Sequence, residues 1–384
     1  MTDERPGRGP GQVVVTGAAV LSAYGPGTDA LLAGVLSGRP AFAPVQRFDV
    51  SAHRVGAAAE GPGHPQLDAE IARAIGEACD DAALSAADRA RTPLFLAVHG
   101  DPAAPRAAAA GRPAPGPEAF AAALAHACGL AQPDLRCYLS ACVAASTAIG
   151  DAAAIIARGQ AHRVVVAGGY LVEPDQFALF DAGRVLAADG QVRPFSAGRR
   201  GLLLGDGIGV VVIESDQAAR ARRARPLARI AGWGRSGDAY HPCQPRPDGH
   251  GLARAITAAL GRAGADAADV GYINAHGSGT AASDRAEANA IRLALGEAAD
   301  TVPVSSTKSL HGQALEASGA LELIVTVLAL RAGTLPVNAG YLGVDDECGL
   351  RLVLDEPLAT DADLALSHNC AFGGANTALL VGLP

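Results

Sequence analysis

Runs of apolar residues alternate along the chain with segments whose apolar residues recur at helical spacing. In the first part of the chain, continuous apolar runs predict buried strands at 13–17, 94–100, 135–141, 163–169 and 209–215. Helical spacing predicts helices over 29–38 and 142–158. Strands with no polar face, alternating with helices, imply β-sheets that helices cover on both faces.

The second part of the chain repeats this alternation. It predicts strands at 228–234, 270–277, 351–357 and 377–383, and helices over 252–264, 284–296 and 314–331. Two similar runs indicate two stacked α/β halves with a site between them. A loop rich in Pro, Ala and Gly at 101–117 is the least ordered stretch that the pattern predicts.

Composition and charge limit the classes of function. About half of the 384 residues are apolar and only 18% are charged, so the chain can bury a large core. A formal net charge of −8 argues against a general nucleic-acid binder. No uncharged apolar run reaches the roughly 18 residues that a membrane span needs. The seven cysteines include no CxxC pair, so we expect neither a disulfide framework nor a metal site. Without a cleavable leader, a reducing cytoplasm is the expected compartment.

Cys142 is the first candidate for chemistry. It lies where an apolar strand gives way to an Ala-rich helix, and the unpaired N–H groups of a helix start favour a thiolate. We therefore expect a lowered thiol pKa and a nucleophile that takes an acyl group from a thioester. The alternative from the residue alone is a buried, unreactive core cysteine.

Four short motifs follow one another in a fixed order: SACVAAS around Cys142, NAHGSGT around His276, STKSLHGQALEASG containing Lys308 and Gln313, and HNCAFGGAN around Phe372. A further stretch, RPFSAGRRGLLLGDGIG, lies at 193–209. With these motifs the chain resembles the β-ketoacyl synthases of the thiolase superfamily, the condensing enzymes of fatty-acid and polyketide assembly.

The resemblance implies a thiolase-like α/β fold in which two stacked, pseudo-symmetric halves form a five-layered αβαβα architecture. We predict a disordered tail over 1–12 and an N-terminal half over 13–225 that carries the nucleophile. The C-terminal half over 226–384 would carry the remaining motifs.

The resemblance also implies roles for the motif residues. Cys142 would be the acyl-accepting nucleophile, and the backbone N–H groups of Cys142 and Phe372 would form the oxyanion hole. The Phe372 side chain would be the gate between the acyl pocket and the second substrate. His276 would hydrogen-bond the thioester carbonyl of the extender unit and stabilise the enolate that decarboxylation leaves.

Further residues would bind the substrate or the carrier. Ser278 and Thr280 occupy positions that hydrogen-bond the phosphopantetheine arm in the family, and Gly373 and Gly374 would let the chain approach the substrate closely. Arg199 matches a basic position that meets the acidic carrier protein. Lys308 is assigned to the catalytic residues and Glu322 to substrate binding, because both match residues that orient the site in the family, although Glu322 could be only a buried partner of Lys308.

The chain departs from the family at Gln313, where the pattern has a second catalytic His. His311 lies two residues earlier, about 200° around a helix, and is not expected to replace it. A Gln side chain donates a hydrogen bond but carries neither a proton nor a positive charge. The loss falls on enolate stabilisation and acid–base help, and it need not abolish acylation of Cys142, because the helix start and the oxyanion hole remain.

Three hypotheses follow. The first is a β-ketoacyl-acyl carrier protein synthase that loads an acyl chain on Cys142 and condenses it with a malonyl-type unit, releasing carbon dioxide. The second keeps acyl transfer to Cys142 but omits decarboxylation. The third is a chain-length-factor-like partner subunit of a ketosynthase. The expected partners are an acyl carrier protein and a second subunit, in a homodimer or in a heterodimer with a second ketosynthase-like subunit. No resident cofactor is expected, since the phosphopantetheine of the acyl carrier protein brings the substrate.

Overall fold

The strands at the centre of the protein are apolar on both sides, as the continuous runs of Val and Ile predict. The computed structural model describes residues 11–384, so the first ten residues of the predicted tail lie outside the described residues. The elements up to residue 221 are β1 (Val13–Ser22), β2 (Gly25–Pro26), α1 (Thr28–Leu36), β3 (Ala43–Pro44), β4 (Ala57–Ala58), α2 (Leu67–Asp81), α3 (Ala86–Arg89), β5 (Pro93–Ala97), α4 (Ala104–Ala109), α5 (Pro117–Ala127), β6 (Ala131–Tyr138), α6 (Ala144–Ala157), β7 (Arg163–Tyr170), α7 (Pro174–Ala182), β8 (Gly207–Ser215) and α8 (Asp216–Ala221).

The second part of the chain follows the same plan. In each part a 3₁₀ turn, Ala141–Val143 or Leu315–Ala317, precedes a long helix at the centre of the molecule. The elements of the second part are β9 (Ala228–Gly237), α9 (His250–Ala263), β10 (Tyr272–Asn274), α10 (Ala281–Leu295), β11 (Val304–Ser305), α11 (Lys308–His311), α12 (Ser318–Ala332), β12 (Thr334–Leu335), β13 (Leu358–Ala359), β14 (Leu364–Ala371) and β15 (Ala375–Gly382).

The strand order shows the internal symmetry. One half has the order β6-β5-β7-β8-β1 and the other has β11-β10-β14-β15-β9. In each half, the first three strands of that order run parallel and the remaining pairings are antiparallel. The halves meet where Val13–Val15 pairs antiparallel with Ala228–Ile230.

The helices form three layers around the two strand sets. Helices α6 and α12 lie between the halves, because each contacts the other and also strands of both sets. Helices α2 and α5 cover the outer face of one set, and α9 covers the outer face of the other and packs on α10. The expected αβαβα architecture of two stacked halves is thus confirmed. The boundary at 225/226 falls between α8 and β9 and stays a prediction.

The two central helices are buried for a reason that the sequence shows. Helix α12 is apolar nearly all round, and twelve of its fifteen residues are buried. Gly319 lies so close to α6 that an added Cβ would be 2.5 Å from the Ser146 backbone nitrogen. Both central helices begin on the same side of the molecule, beside Cys142, and this places a nucleophile from one half against side chains from the other.

Three predicted elements are wrong in detail. Residues 351–357 form no strand, since tight turns at Leu352 and Glu356 end the extended run and leave one bridge to Val304. The predicted loop at 101–117 contains α4, because its Ala-rich sequence favours a helix. The helix predicted from 314 begins only at Ser318.

Within residues 11–384, every helix is too short or too polar to cross a bilayer.

Candidate active site

A cavity of about 190 Å³ opens between the two halves. The first half contributes Cys142, Phe180, Val185 and Leu202, and the second half contributes most of the polar lining. Five residues that the sequence singles out lie on its wall together with Cys142: His276, Ser278, Thr280, Gln313 and Phe372.

Cys142 lies in the 3₁₀ turn that joins β6 to α6 and is almost fully buried. Ala141 before it has φ +50°, a conformation that side chains rarely adopt and that costs on the order of 1 kcal/mol. Burial raises the pKa of the Cys142 thiol to about 12, with the Glu316 carboxylate adding to the effect and Lys308 opposing it. The prediction of a lowered thiol pKa is therefore wrong for the protein without substrate. Burial of the thiol raises its pKa by more than the N–H groups of the helix start lower it.

Gln313 contacts the nucleophile directly. Its Nε2 donates a hydrogen bond to Cys142 Sγ at 2.8 Å, and this bond lowers the thiol pKa. Two hydrogen bonds fix the backbone of Gln313. Its N–H donates to the Leu203 carbonyl at 2.8 Å, and its carbonyl accepts from the Gly205 N–H at 3.0 Å. Its Oε1 is buried and has no partner among the described residues. The amide therefore acts on the sulfur as a fixed, neutral donor.

The Gln313 contact predicts how the thiol responds to pH. Because the Cys142 pKa is about 12, the rate of its alkylation by iodoacetamide should keep rising well above pH 8.5, where an ordinary thiol levels off. Gln313→Met should slow alkylation about tenfold at every pH below the thiol pKa, since the donor to the thiolate is lost. Peptide mass spectrometry measures both rates, with exposed Cys243 as the control thiol. An equal or faster rate in the variant would contradict this role.

His276 lies on the cavity wall with its ring almost fully buried. Burial, Lys308 and His368 hold its pKa well below the usual value, so the imidazole is neutral. The loop is fixed behind it: Gly277 N–H donates to Glu287 at 2.8 Å, and Ser306 Oγ donates to the His276 carbonyl at 3.2 Å. A neutral imidazole in this place acts as a hydrogen-bond donor or as a proton acceptor.

Lys308 and Glu322 form a buried ion pair behind the cavity wall. Lys308 Nζ lies 2.5 Å from Glu322 Oε1, and Asn369 Nδ2 donates to Glu322 Oε2 at 2.6 Å. Both charged side chains are almost completely buried, and neither lines the cavity. The assignment of Glu322 to substrate binding is therefore corrected: it holds Lys308, whose charge acts on Cys142 and His276 through space.

Phe372 lies at the cavity mouth and is 50% exposed, with its ring 6.1 Å from that of Phe180. The backbone N–H groups of Cys142 and Phe372 donate to no other group within residues 11–384, so both are available to a ligand.

Gly373 and Gly374, which were predicted to let the chain approach the substrate, do not line the cavity. They are required for another reason: both have positive φ, and a Cβ on Gly374 would be 2.8 Å from Asp238.

Two remaining predictions concern the cavity wall and the carrier. Ser278 and Thr280 lie side by side on the wall, with their hydroxyl oxygens 2.9 Å apart.

The prediction that Arg199 contacts a carrier protein is wrong. Its side chain is only 4% exposed, because it forms ion pairs with Asp345 and, at 3.7 Å, with Glu347.

His311 is not on the cavity, in agreement with its position in the sequence. It is fully buried, its Nε2 lies 3.0 Å from Thr307 Oγ1, and burial lowers its pKa to about 3.

The sequence motifs did not indicate Glu316, which lies beside Cys142 and pairs with His99 at 3.2 Å. The available signal was a lone Glu in an otherwise small and apolar stretch, three residues after Gln313.

Two family models and a curated relative match the chain in sequence. Residues 97–219 match the family model "Beta-ketoacyl synthase, N-terminal domain", and residues 227–341 match "Beta-ketoacyl synthase, C-terminal domain". A 3-oxoacyl-[acyl-carrier-protein] synthase 2 of Staphylococcus aureus is 38% identical over 247 residues, which are 63% of this chain and 61% of that protein. The match thus spans about three fifths of the length of this curated relative.

Solved structures match over the whole chain. The ishigamide ketosynthase/chain length factor is 30% identical with a TM-score of 0.88, covering 98% of this chain and 100% of that one. A type II PKS acyl-carrier protein in complex with its ketosynthase is 25% identical with a TM-score of 0.87, at 98% and 100% coverage. With two family models and a full-length relative in agreement, the chain belongs to the β-ketoacyl synthases of the thiolase superfamily.

Proposed function

We propose that the protein is a β-ketoacyl-acyl carrier protein synthase that acts in fatty-acid or polyketide assembly. The observation that carries this proposal is the single cavity in which Cys142, Gln313, His276 and Phe372 meet. A thiol, a donor to that thiol, a neutral imidazole and two available backbone N–H groups are the groups that acyl transfer needs.

In the first step, Cys142 Sγ attacks the carbonyl carbon of an acyl thioester on the carrier protein. A new S–C bond forms, the bond to the phosphopantetheine sulfur breaks, and the thiol proton passes to that leaving sulfur. The N–H groups of Cys142 and Phe372 would receive the oxyanion. Ser278 and Thr280, which line the same cavity, would hydrogen-bond the phosphopantetheine arm.

In the second step, a malonyl-type thioester on a second carrier loses carbon dioxide. His276 would donate a hydrogen bond to the thioester carbonyl and stabilise the enolate. The enolate carbon then attacks the acyl group on Cys142, and the sulfur leaves as a thiolate. Gln313 Nε2, 2.8 Å from Sγ, is placed to stabilise that thiolate until it regains a proton.

The first step is tested by incubating the protein with an acyl carrier-protein thioester and measuring the intact mass. We expect a gain equal to one acyl group, and we expect Cys142→Ala to abolish it. Because Cys370 also lines the cavity, Cys370→Ala is the matched control and should load normally. An equal mass gain in Cys142→Ala would reject Cys142 as the acceptor.

The neutral side chain of Gln313 favours a second candidate, an acyltransferase that passes the acyl group to an amine, alcohol or other thiol without decarboxylation. The carboxamide supports the sulfur but takes no proton, and within residues 11–384 His276 is the only His on the cavity wall. Release of carbon dioxide from a malonyl carrier protein separates this candidate from the first.

The similarity to a ketosynthase/chain length factor favours a third candidate, a partner subunit in a heterodimer. Such a subunit would shape the pocket of a competent ketosynthase without acyl transfer of its own. This chain keeps a nucleophile with a bonded donor, which supports activity of its own. Purification as a stable homodimer with turnover would exclude the third candidate.

A further inference from the structure

A buried carboxylate lies next to the nucleophile and takes no part in the steps described above. Glu316 is 3% exposed, and its 3₁₀ turn, Leu315–Ala317, packs directly against the turn Ala141–Val143 that carries Cys142. Its Oε2 is buried and has no partner among the described residues. The preceding residue, Leu315, has φ +38°, a conformation that side chains rarely adopt, so the turn that carries Glu316 is strained.

His99 connects this carboxylate to solvent. Its Nδ1 lies 3.2 Å from Glu316 Oε1, and its side chain is 65% exposed. Glu316, through its hydrogen bond, and Glu173 both raise the pKa of His99. The net charge of the pair beside Cys142 therefore depends on the proton of an exposed imidazole.

The other charges near the thiol are balanced. Lys308 and Glu322 form a closed ion pair, Gln313 is neutral, and burial keeps His276 neutral. Of the charges that act on the Cys142 thiol, Glu316 has the largest effect and raises its pKa. A negative charge that opposes a thiolate must also oppose any other anion brought to the same sulfur.

We propose that Glu316, together with His99, is a charge filter beside Cys142 that disfavours acyl groups carrying a negative charge and leaves the nucleophile to uncharged acyl groups. If the proposed function holds, a malonyl-type unit would be kept off Cys142 and left for the second step. Glu316 does not line the cavity, so it would act as a specificity-determining residue through its charge and not through contact with the acyl group.

The test uses two alkylating agents of similar size that differ in charge, iodoacetamide and iodoacetate. Both form an S–C bond to Cys142 and release iodide, so the ratio of their rates does not depend on the fraction of thiolate. In Glu316→Gln the ratio of iodoacetamide to iodoacetate rates at Cys142 should fall on the order of tenfold. Glu316→Asp keeps the charge and should keep most of the ratio. His99→Gln should raise the ratio when the assay is run at a pH below the raised pKa of His99, where the imidazole is protonated.

Exposed Cys243 at the cavity mouth is the internal control, and its ratio should stay constant in all variants. An unchanged ratio at Cys142 in Glu316→Gln would overturn the charge filter, and so would the same change at Cys243. If Glu316→Gln does not fold, an unchanged ratio in His99→Gln overturns it equally. The assay needs no carrier protein, so a changed ratio without acyl loading would reject the proposed function and keep the filter.

Discussion

Replacing Lys308 by Met is expected to lower the free energy of unfolding by about 3–5 kcal/mol at pH 8. The variant leaves Glu322 fully buried with Asn369 as its remaining donor. An uncompensated buried carboxylate costs several times more than the loss of an exposed ion pair, because water cannot reach it. The midpoint of chemical unfolding at pH 8 measures the effect.

The pH dependence of this loss has a definite sign. Burial already raises the pKa of Glu322, and removal of Lys308 raises it further. As the pH falls from 8 to 5.5, the folded variant binds a proton at Glu322 before the unfolded chain does, so the loss of stability becomes smaller. The double variant Lys308→Met/Glu322→Gln keeps an acceptor for Asn369 and removes both charges, so it should recover most of the loss. A double variant as unstable as Lys308→Met alone would contradict the ion-pair explanation.

Replacing Gln313 by His is expected to raise the release of carbon dioxide from a malonyl carrier protein by about 10²-fold or more. The new imidazole would lie beside Cys142 in the cavity that His276 also lines, and it would add a group that accepts a proton and polarises the thioester carbonyl. Acyl loading of Cys142 should change much less, since it depends on the sulfur and the backbone N–H groups.

The matched control is Gln313→Asn, which keeps an amide but shortens it, and which should not raise the release of carbon dioxide. The assay follows labelled carbon dioxide together with the intact mass of the protein. Equal and substantial release by the unchanged protein and by Gln313→His would show that Gln313 does not limit decarboxylation. That result would reject the non-decarboxylating candidate.

The positions of Cys142, His276, Gln313 and Phe372 could be predicted because each lies in a short motif with an ordered place in the chain. Their meeting on one cavity wall follows from the repeated alternation of strands and helices, which predicts two stacked halves. The motifs do not indicate which groups surround each side chain or how deeply it is buried. The thiol pKa is set by burial and by Glu316, and neither is visible from a strand-to-helix junction.

The wrong assignments share the same cause. Arg199 was expected at the surface because it matches a basic position, but its charge is neutralised by Asp345, 146 residues further along the chain. Glu322 was expected near the substrate, whereas Asn369 and Lys308 enclose it. Pairings over such distances depend on tertiary packing, and local pattern contains no information about them.

The central position of α6 also affects how the protein is made. Helix α6 leaves the ribosome well before α12, because about 160 residues separate the end of α6 from the start of α12 in the sequence. Until α12 follows, the face of α6 that packs on it stays uncovered, and Cys142 lacks both the amide of Gln313 and the carboxylate of Glu316. Until the second half is made, the first half therefore presents the Ala- and Ile-rich face of α6 next to its nucleophile, and the finished site exists only once both halves have been synthesised.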